Sequence, residues 1–212
     1  MTTANDKLVL EFKGRTFQKI LLVIFTAEWT ALAIDPVYRP EWLLENYLVF
    51  AFVLFIFISY KKLQLSDLSY LLLTIFMLLH QVGAHYGYMN VPVGFQIRDI
   101  FSLSRNPYDR IVHFLYGALL AYPIYEMLKR YGRQTGAWLY ILPISFIITF
   151  SATYEIIEAM VAWVLPEKEY DPFVGMQGDI WDGYKDMLAA AVGAIISTTF
   201  ILCSDLRNKN KS

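Results

Sequence analysis

The sequence predicts an all-α, polytopic membrane helix bundle of about six transmembrane helices. Hydrophobic residues make up 57% of the 212 residues, and mean hydropathy is +0.41. Charged residues are only 17%, where soluble domains carry about a quarter. The apolar residues gather into six runs, most of them near the roughly 20 residues that a helix needs to cross hydrocarbon. A net charge of −1 and 3 histidines offer no basic surface for a nucleic acid, so the expected partner is the lipid bilayer. Cys203 is the single cysteine; it can form neither an internal disulfide nor a thiolate metal cluster, and reads as a small apolar helix residue.

Residues 1–17 are polar and read as a cytoplasmic tail rather than a cleavable signal, because no small-residue cleavage site closes the run that follows. Residues 18–204 read as one transmembrane domain and 205–212 as a second cytoplasmic tail. The first run, Leu21 to Ile34, stops at Asp35-Pro36; its Glu28, beside Trp29, reads as an interface residue rather than a bundle-facing one. The second run, Leu43 to Tyr60, is ringed by phenylalanines and is expected to face lipid, peripheral to any site. The third, Leu68 to Tyr88, turns polar in its second half, with His80, Gln81 and His85. Gly83, Ala84 and Gly87 there suit close approach of another backbone. Residues 89–110 alternate apolar and polar residues as a segment lying along the interface does.

The fourth run opens on Asp109-Arg110 and His113. Asp109 is one turn before His113, where a carboxylate can orient an imidazole and fix its tautomer. The fifth run, from Ala137 to Trp163, carries Glu155 and Glu158 on one face in its late half. Helix capping cannot account for two carboxylates at that depth, and they are costly unless paired or protonated. The last run, Met187 to Leu202, follows Asp179, Asp182 and Asp186, whose spacing in a helix stacks three carboxylates on one face. Capping and the helix dipole suffice for Asp179 and Asp182 but not for Asp186. Ala189, Ala190, Ala191, Gly193 and Ala194 suit close helix packing.

Alternating the six runs places Lys7, Lys13, Arg15, Lys19, Lys61, Lys62, Lys129, Arg130, Arg133, Arg207, Lys209 and Lys211 on one side. Arg39, Arg98, Arg105, Arg110, Lys168 and Lys185 fall on the other. The larger basic set marks the cytoplasmic side, so both termini are expected there. On this arrangement His80, His85, His113, Glu155, Glu158, Asp179, Asp182 and Asp186 all fall in the outer half of the membrane. That coincidence points to one shared polar pocket. The packing expected is of the third to sixth runs around it.

The stretch Asn106 to Ile196 resembles the YjdF-like family of bacterial inner-membrane proteins. The residues that carry the resemblance are Asn106, Asp109-Arg110, His113-Phe114 and Gly117, then Glu155 and Glu158, then Gln177-Gly178-Asp179, Trp181-Asp182 and Asp186-Met187. An early Asp and His-Phe, a middle Glu and a late acidic helix start are also similar to VanZ-like proteins. The resemblance implies the bacterial inner membrane and an envelope context, and no reaction.

The residues themselves leave three functions open. In the first, His80, His85, His113, Glu155, Glu158, Asp179, Asp182 and Asp186 hold a divalent metal ion (Zn, Mn or Mg), with Asp109 orienting His113 and Glu155 or Glu158 as general base. The substrate is then a lipid or lipid-linked envelope intermediate, attacked by activated water at an ester or phosphoester. In the second, the same residues relay protons or cations; the absence of an internal repeat speaks against it. In the third, the polar cluster only locks helices together. Arg110 and Lys185 bear most on the choice between metal and lock, since salt bridges from them to the carboxylates would stand in for a metal.

Overall fold

A computed structural model describes residues 16–59, 62–166 and 174–210. Lys7, Lys13, Arg15, Lys61, Lys168 and Lys211, used above to orient the chain, lie outside these residues, as does most of the N-terminal tail. Among the described residues the regular structure is helical throughout: α1 (Thr16–Leu32), α2 (Arg39–Ser59), α3 (Asp67–Tyr86), α4 (Pro92–Ile100), α5 (Tyr108–Arg130), α6 (Trp138–Val164) and α7 (Asp182–Lys209), with a 3-10 turn at Tyr88–Asn90. Five helices, α2, α3, α5, α6 and α7, are long and apolar enough to cross a membrane. The first expected span, α1, has 17 residues, about 25 Å.

Helix ends follow from local chemistry. Pro40 and Pro92 stand in the first turns of α2 and α4, where a missing N–H costs nothing. Ser66 caps α3, accepting from the Ser69 amide at 3.3 Å. The Glu126 carboxylate of α5 secures that cap, accepting from the Ser66 amide at 3.0 Å and the Ser66 hydroxyl at 2.9 Å. At its other end α3 stops at Gly87, whose φ of 70° suits glycine. α4 occupies the segment expected to lie along the interface, with Val93 and Ile100 exposed. α7 runs through residues 205–209, so the helix continues into the stretch read as a tail.

The bundle is built on α5 against α7. Small residues let the two backbones meet: a Cβ on Gly117 would overlap the Ala190 carbonyl, and one on Gly193 the Phe114 carbonyl. Leu73, Leu120, Ala121, Ile147, Ala190 and Ala194 pack together as a buried apolar cluster. The small residues of α7 therefore do what their spacing suggests. Those of α3 do something else. Gly83 makes room for the Tyr88 ring, 2.6 Å from where a Cβ would sit, and Gly87 lies against Glu41. Neither glycine admits another helix backbone.

Two expectations about the first runs need correcting. The first half of α2 is not peripheral: Glu41, Trp42, Glu45 and Asn46 in its first two turns are all buried. They turn inward because four residues make about one turn, so 41, 42, 45 and 46 share a face. The later half does face outward, with Phe55 and Phe57 exposed. Glu28 is only partly exposed, and its Oε2 is enclosed, so it faces the protein rather than the interface.

Candidate functional site

The loops joining α1 to α2, α3 to α5 and α6 to α7 gather at one end of the bundle. Asn106, 1% exposed, organises that end. Its side-chain oxygen accepts from the Tyr108 amide, the first N–H of α5, at 3.0 Å. Its side-chain nitrogen donates to the Val91 carbonyl at 3.0 Å. Its backbone pairs with the Gln177 side chain in both directions, at 3.0 and 3.1 Å. The pairing draws the turn before α7 onto the turn before α5. Arg105 and Asp179 are each next to this clasp, and that places the charges.

α7 begins at Asp182, so Asp179 is not on the helix but in the turn before it, where its Oδ1 accepts from the Trp181 amide at 3.1 Å. The three carboxylates still converge, and they meet three cations. Arg105 grips both oxygens of Asp182 and donates to the Met176 carbonyl at 3.3 Å. Arg110 donates from Nη2 to Asp182 at 2.6 Å and from Nε to Asp186 at 3.1 Å. Lys185 reaches Asp179 at 2.6 Å. The Lys185 hydrogen bond is the main reason that the Asp179 carboxyl titrates below its usual range.

Behind this layer stand Asp109, His113, Glu155 and Glu158. His113 Nε2 is 3.5 Å from Asp109 and 3.6 Å from Glu155, within electrostatic reach but long for a hydrogen bond. The Glu155 Oε1 is enclosed with no hydrogen-bond partner among the described residues. Its Oε2 lies close to the start of α7, 2.6 Å from where a Cβ on Gly183 would sit. Asp109, Asp182 and Asp186 bring one oxygen each to within 4.8 Å of one another, a group that can hold a metal ion.

The remaining histidines lie apart from this cluster. His85 bonds the Leu32 carbonyl at 2.8 Å and ties α3 to the end of α1. His80 turns towards α2: its Nδ1 is 2.6 Å from the Tyr88 hydroxyl and its Nε2 3.8 Å from Glu45. Tyr154 of α6 stands between the two groups. Its hydroxyl donates to Glu45 at 2.9 Å, and its ring lies edge-on to His113, centroids 6.2 Å apart. The expected single pocket is thus a closed ion-paired cluster with a neighbouring glutamate group. Apolar surface cavities lie elsewhere, one of about 430 Å³ between α1, α2 and α3 and one of about 390 Å³ along the last turns of α6.

Sequence reasoning missed Arg105, Glu41, Glu45 and Tyr154. For Glu41 and Glu45 the signal was present: two acids one turn apart beside Asn46, at the mouth of an apolar run. For Arg105 there was none, since what positions it is the long-range pairing of Asn106 with Gln177.

Fold and site define a polytopic membrane protein whose bundle is closed at one end by paired acidic and basic side chains. The chain belongs to the family described as "Predicted membrane protein (DUF2238)", which matches residues 17–205. It is 35% identical over 214 residues to Inner membrane protein YjdF of Escherichia coli (strain K12), across 98% of this chain and 97% of that protein. No solved structure matches it significantly. The likeness to VanZ-like proteins has no counterpart among these matches.

Proposed function

We propose that the protein is a metal-assisted hydrolase or modifying enzyme of the bacterial inner membrane, acting on a phosphoester of a lipid or lipid-linked envelope intermediate. The observation that supports this reading best is the convergence of Asp109, Asp182 and Asp186 oxygens within 4.8 Å, beside a histidine held between two carboxylates. The E. coli relative carries the inner membrane in its name. The basic-residue bias puts both termini in the cytoplasm and the site in the outer leaflet half.

The residues divide the work. Asp109, Asp182 and Asp186 would hold a divalent cation, which would supply Lewis acidity at a phosphoryl oxygen. Arg105 and Arg110, which now donate to Asp182, would be the phosphate clamp, their N–H groups suited to a phosphoester's oxygens. His113 holds a proton at Nε2, oriented by Asp109, and Glu155 with its neighbour Glu158 accepts one from water. Gly183 keeps Glu155 close to the start of α7.

One observation favours a second reading. Asp179, Asp182 and Asp186 already have Lys185, Arg105 and Arg110, so a lock between α5 and α7 needs no metal. A transporter has less support: the sequence carries no internal repeat. Asp182→Asn separates the first two. Full-length protein in lipid nanodiscs is loaded with Mn²⁺, Zn²⁺ or Mg²⁺ and assayed for metal content, melting temperature and phosphate release from lipid phosphoesters. The enzyme reading expects metal and phosphate release in wild type, both lost in a variant that stays folded. Metal-free, inactive wild type with a variant that melts early leaves the lock.

A further inference from the structure

α1 and α3 run side by side with their ends matched. At one end the Gln18 side-chain nitrogen donates to Asp67, and at the other His85 bonds the Leu32 carbonyl at 2.8 Å. α2 meets α1 where the Trp29 indole donates to Asn46 at 2.7 Å and its ring lies 5.9 Å from Trp42 and 6.0 Å from Phe50. From that contact towards the start of α1 a cavity of about 430 Å³ lies between the two helices. Leu22 and Phe25 form one wall, Val53 and Phe57 the other, and Leu73 and Met77 of α3 the floor.

Leu22, Val53 and Phe57 are exposed, so the cleft opens sideways. α2 and α3 are two of the spans, and the medium beside a span is hydrocarbon. Atoms lining an empty cleft lose dispersion contacts, which an apolar occupant restores. Depth selects among occupants. Lys19 to Phe25 on α1 and Tyr70 to Met77 on α3 each cover about 9–10 Å along their helix axes. Half of a hydrocarbon core is about 15 Å, so the cleft stays within one leaflet and stops at the Trp29–Asn46 contact. A partner helix would run through both leaflets, whereas an acyl chain runs through one.

The shallow end of the cleft carries charge. Lys19, in the first turn of α1, lines it and is exposed. Among the described residues Lys19 has no carboxylate within ion-pair distance; Asp67, at the same end, is engaged by Gln18. Lys62, just past the last turn of α2, is a second exposed cation at that end without a carboxylate partner. An ammonium without a counter-charge, at the mouth of an apolar cleft and at the hydrocarbon boundary, complements a phosphate that carries an acyl chain.

We propose that the cleft between α1 and α2 is a binding site for an anionic glycerophospholipid, with one acyl chain between Phe25 and Phe57 over Leu73 and Met77 and the phosphate on Lys19. The site lies at the opposite end of the bundle from the aspartate group and does not depend on the hydrolase reading.

The test is native mass spectrometry of the full chain, stripped of lipid in detergent and titrated with phosphatidylglycerol or phosphatidylethanolamine, with melting temperature as the check on folding. Wild type binds a single phosphatidylglycerol, more tightly than phosphatidylethanolamine. Lys19→Gln weakens phosphatidylglycerol about fivefold, the effect of one lysine at an anionic surface. Val53→Trp fills the cleft from its wall and removes the bound lipid whichever headgroup it carries. Arg207→Gln and Leu188→Trp, a charge and an apolar residue exposed on α7, bind as wild type does. If Val53→Trp does not fold, Leu22→Trp on the facing wall takes its place. Equal binding of the two lipids by wild type overturns the proposal, as does a second copy of the chain in place of the lipid. So does unchanged binding in either cleft variant, or equal losses in the α7 controls. Loss of metal or activity at the aspartate group leaves this binding in place, so the two readings fail separately.

Discussion

Glu126 shows how one buried acid can be wholly structural. It accepts from the Ser66 amide, the Ser66 hydroxyl and the Ser69 hydroxyl, and it pairs with Arg130 at 3.0 Å. Replacing it with alanine strands these donors at the start of α3, and the expected cost is about 3 kcal/mol. A fall in melting temperature in detergent, with Glu126→Gln intermediate, checks it; an unchanged melt refutes the role. Asp179 behaves differently, because it is a surface partner of Lys185. Its carboxyl titrates below the ordinary 3.8, so its contribution is present above that pH and lost as pH falls through the lower folded value. Asp179→Asn should leave the pH dependence of stability unchanged from pH 5 to 8 and alter it only in acid; a melting series against pH reads this out. What single residues could tell in advance was uneven. Asp109, His113, Glu155 and Asp182 announce themselves because acids and imidazoles in or beside apolar runs are costly there unless something pairs with them or uses them. Arg105 did not, because an arginine in a loop is ordinary, and its importance comes from the Asn106–Gln177 clasp that no local pattern encodes.

At the scale of helices, α5 and α7 form the closest contact, zipped by Gly117 and Gly193. Gly117→Leu or Gly193→Leu must push the backbones apart, at an expected cost of about 3 kcal/mol. Leu188→Ala, on the exposed side of α7, should cost well under 1 kcal/mol and serves as control. Melting temperatures of the three variants decide it: equal losses in all three would mean that the glycine zipper does not hold the helices together. The small-residue run of α7 was readable from sequence, since five alanines and glycines in six positions leave little else to do. The inward face of α2 was not. Its four buried residues precede a phenylalanine-rich stretch that dominates any average over the helix, and the polar turn vanishes into that average.

For the whole molecule, the two ends of the bundle are built from unlike chemistry. One end carries the paired clusters; the other is tied by Asp205, which accepts from the Tyr125 hydroxyl at 2.5 Å and the Tyr140 hydroxyl at 2.8 Å, joining α5, α6 and α7. The proposed insertion puts the Asp205 end in the cytoplasm. With Cys203 replaced by serine, cysteines placed at positions 98 and 208 should react with an impermeant maleimide from opposite sides of the membrane, 98 from outside and 208 from inside. The reverse pattern turns the molecule over and moves the site to the cytoplasmic leaflet.

Arg110 belongs to α5, yet both carboxylates it holds belong to α7, more than seventy residues later in synthesis. A nascent chain that has inserted α5 and α6 therefore lacks the two carboxylates that Arg110 holds, and its Gly117 cleft is unfilled. Insertion of the last helix supplies both at once. A chain cut short after residue 164 would lack that closure.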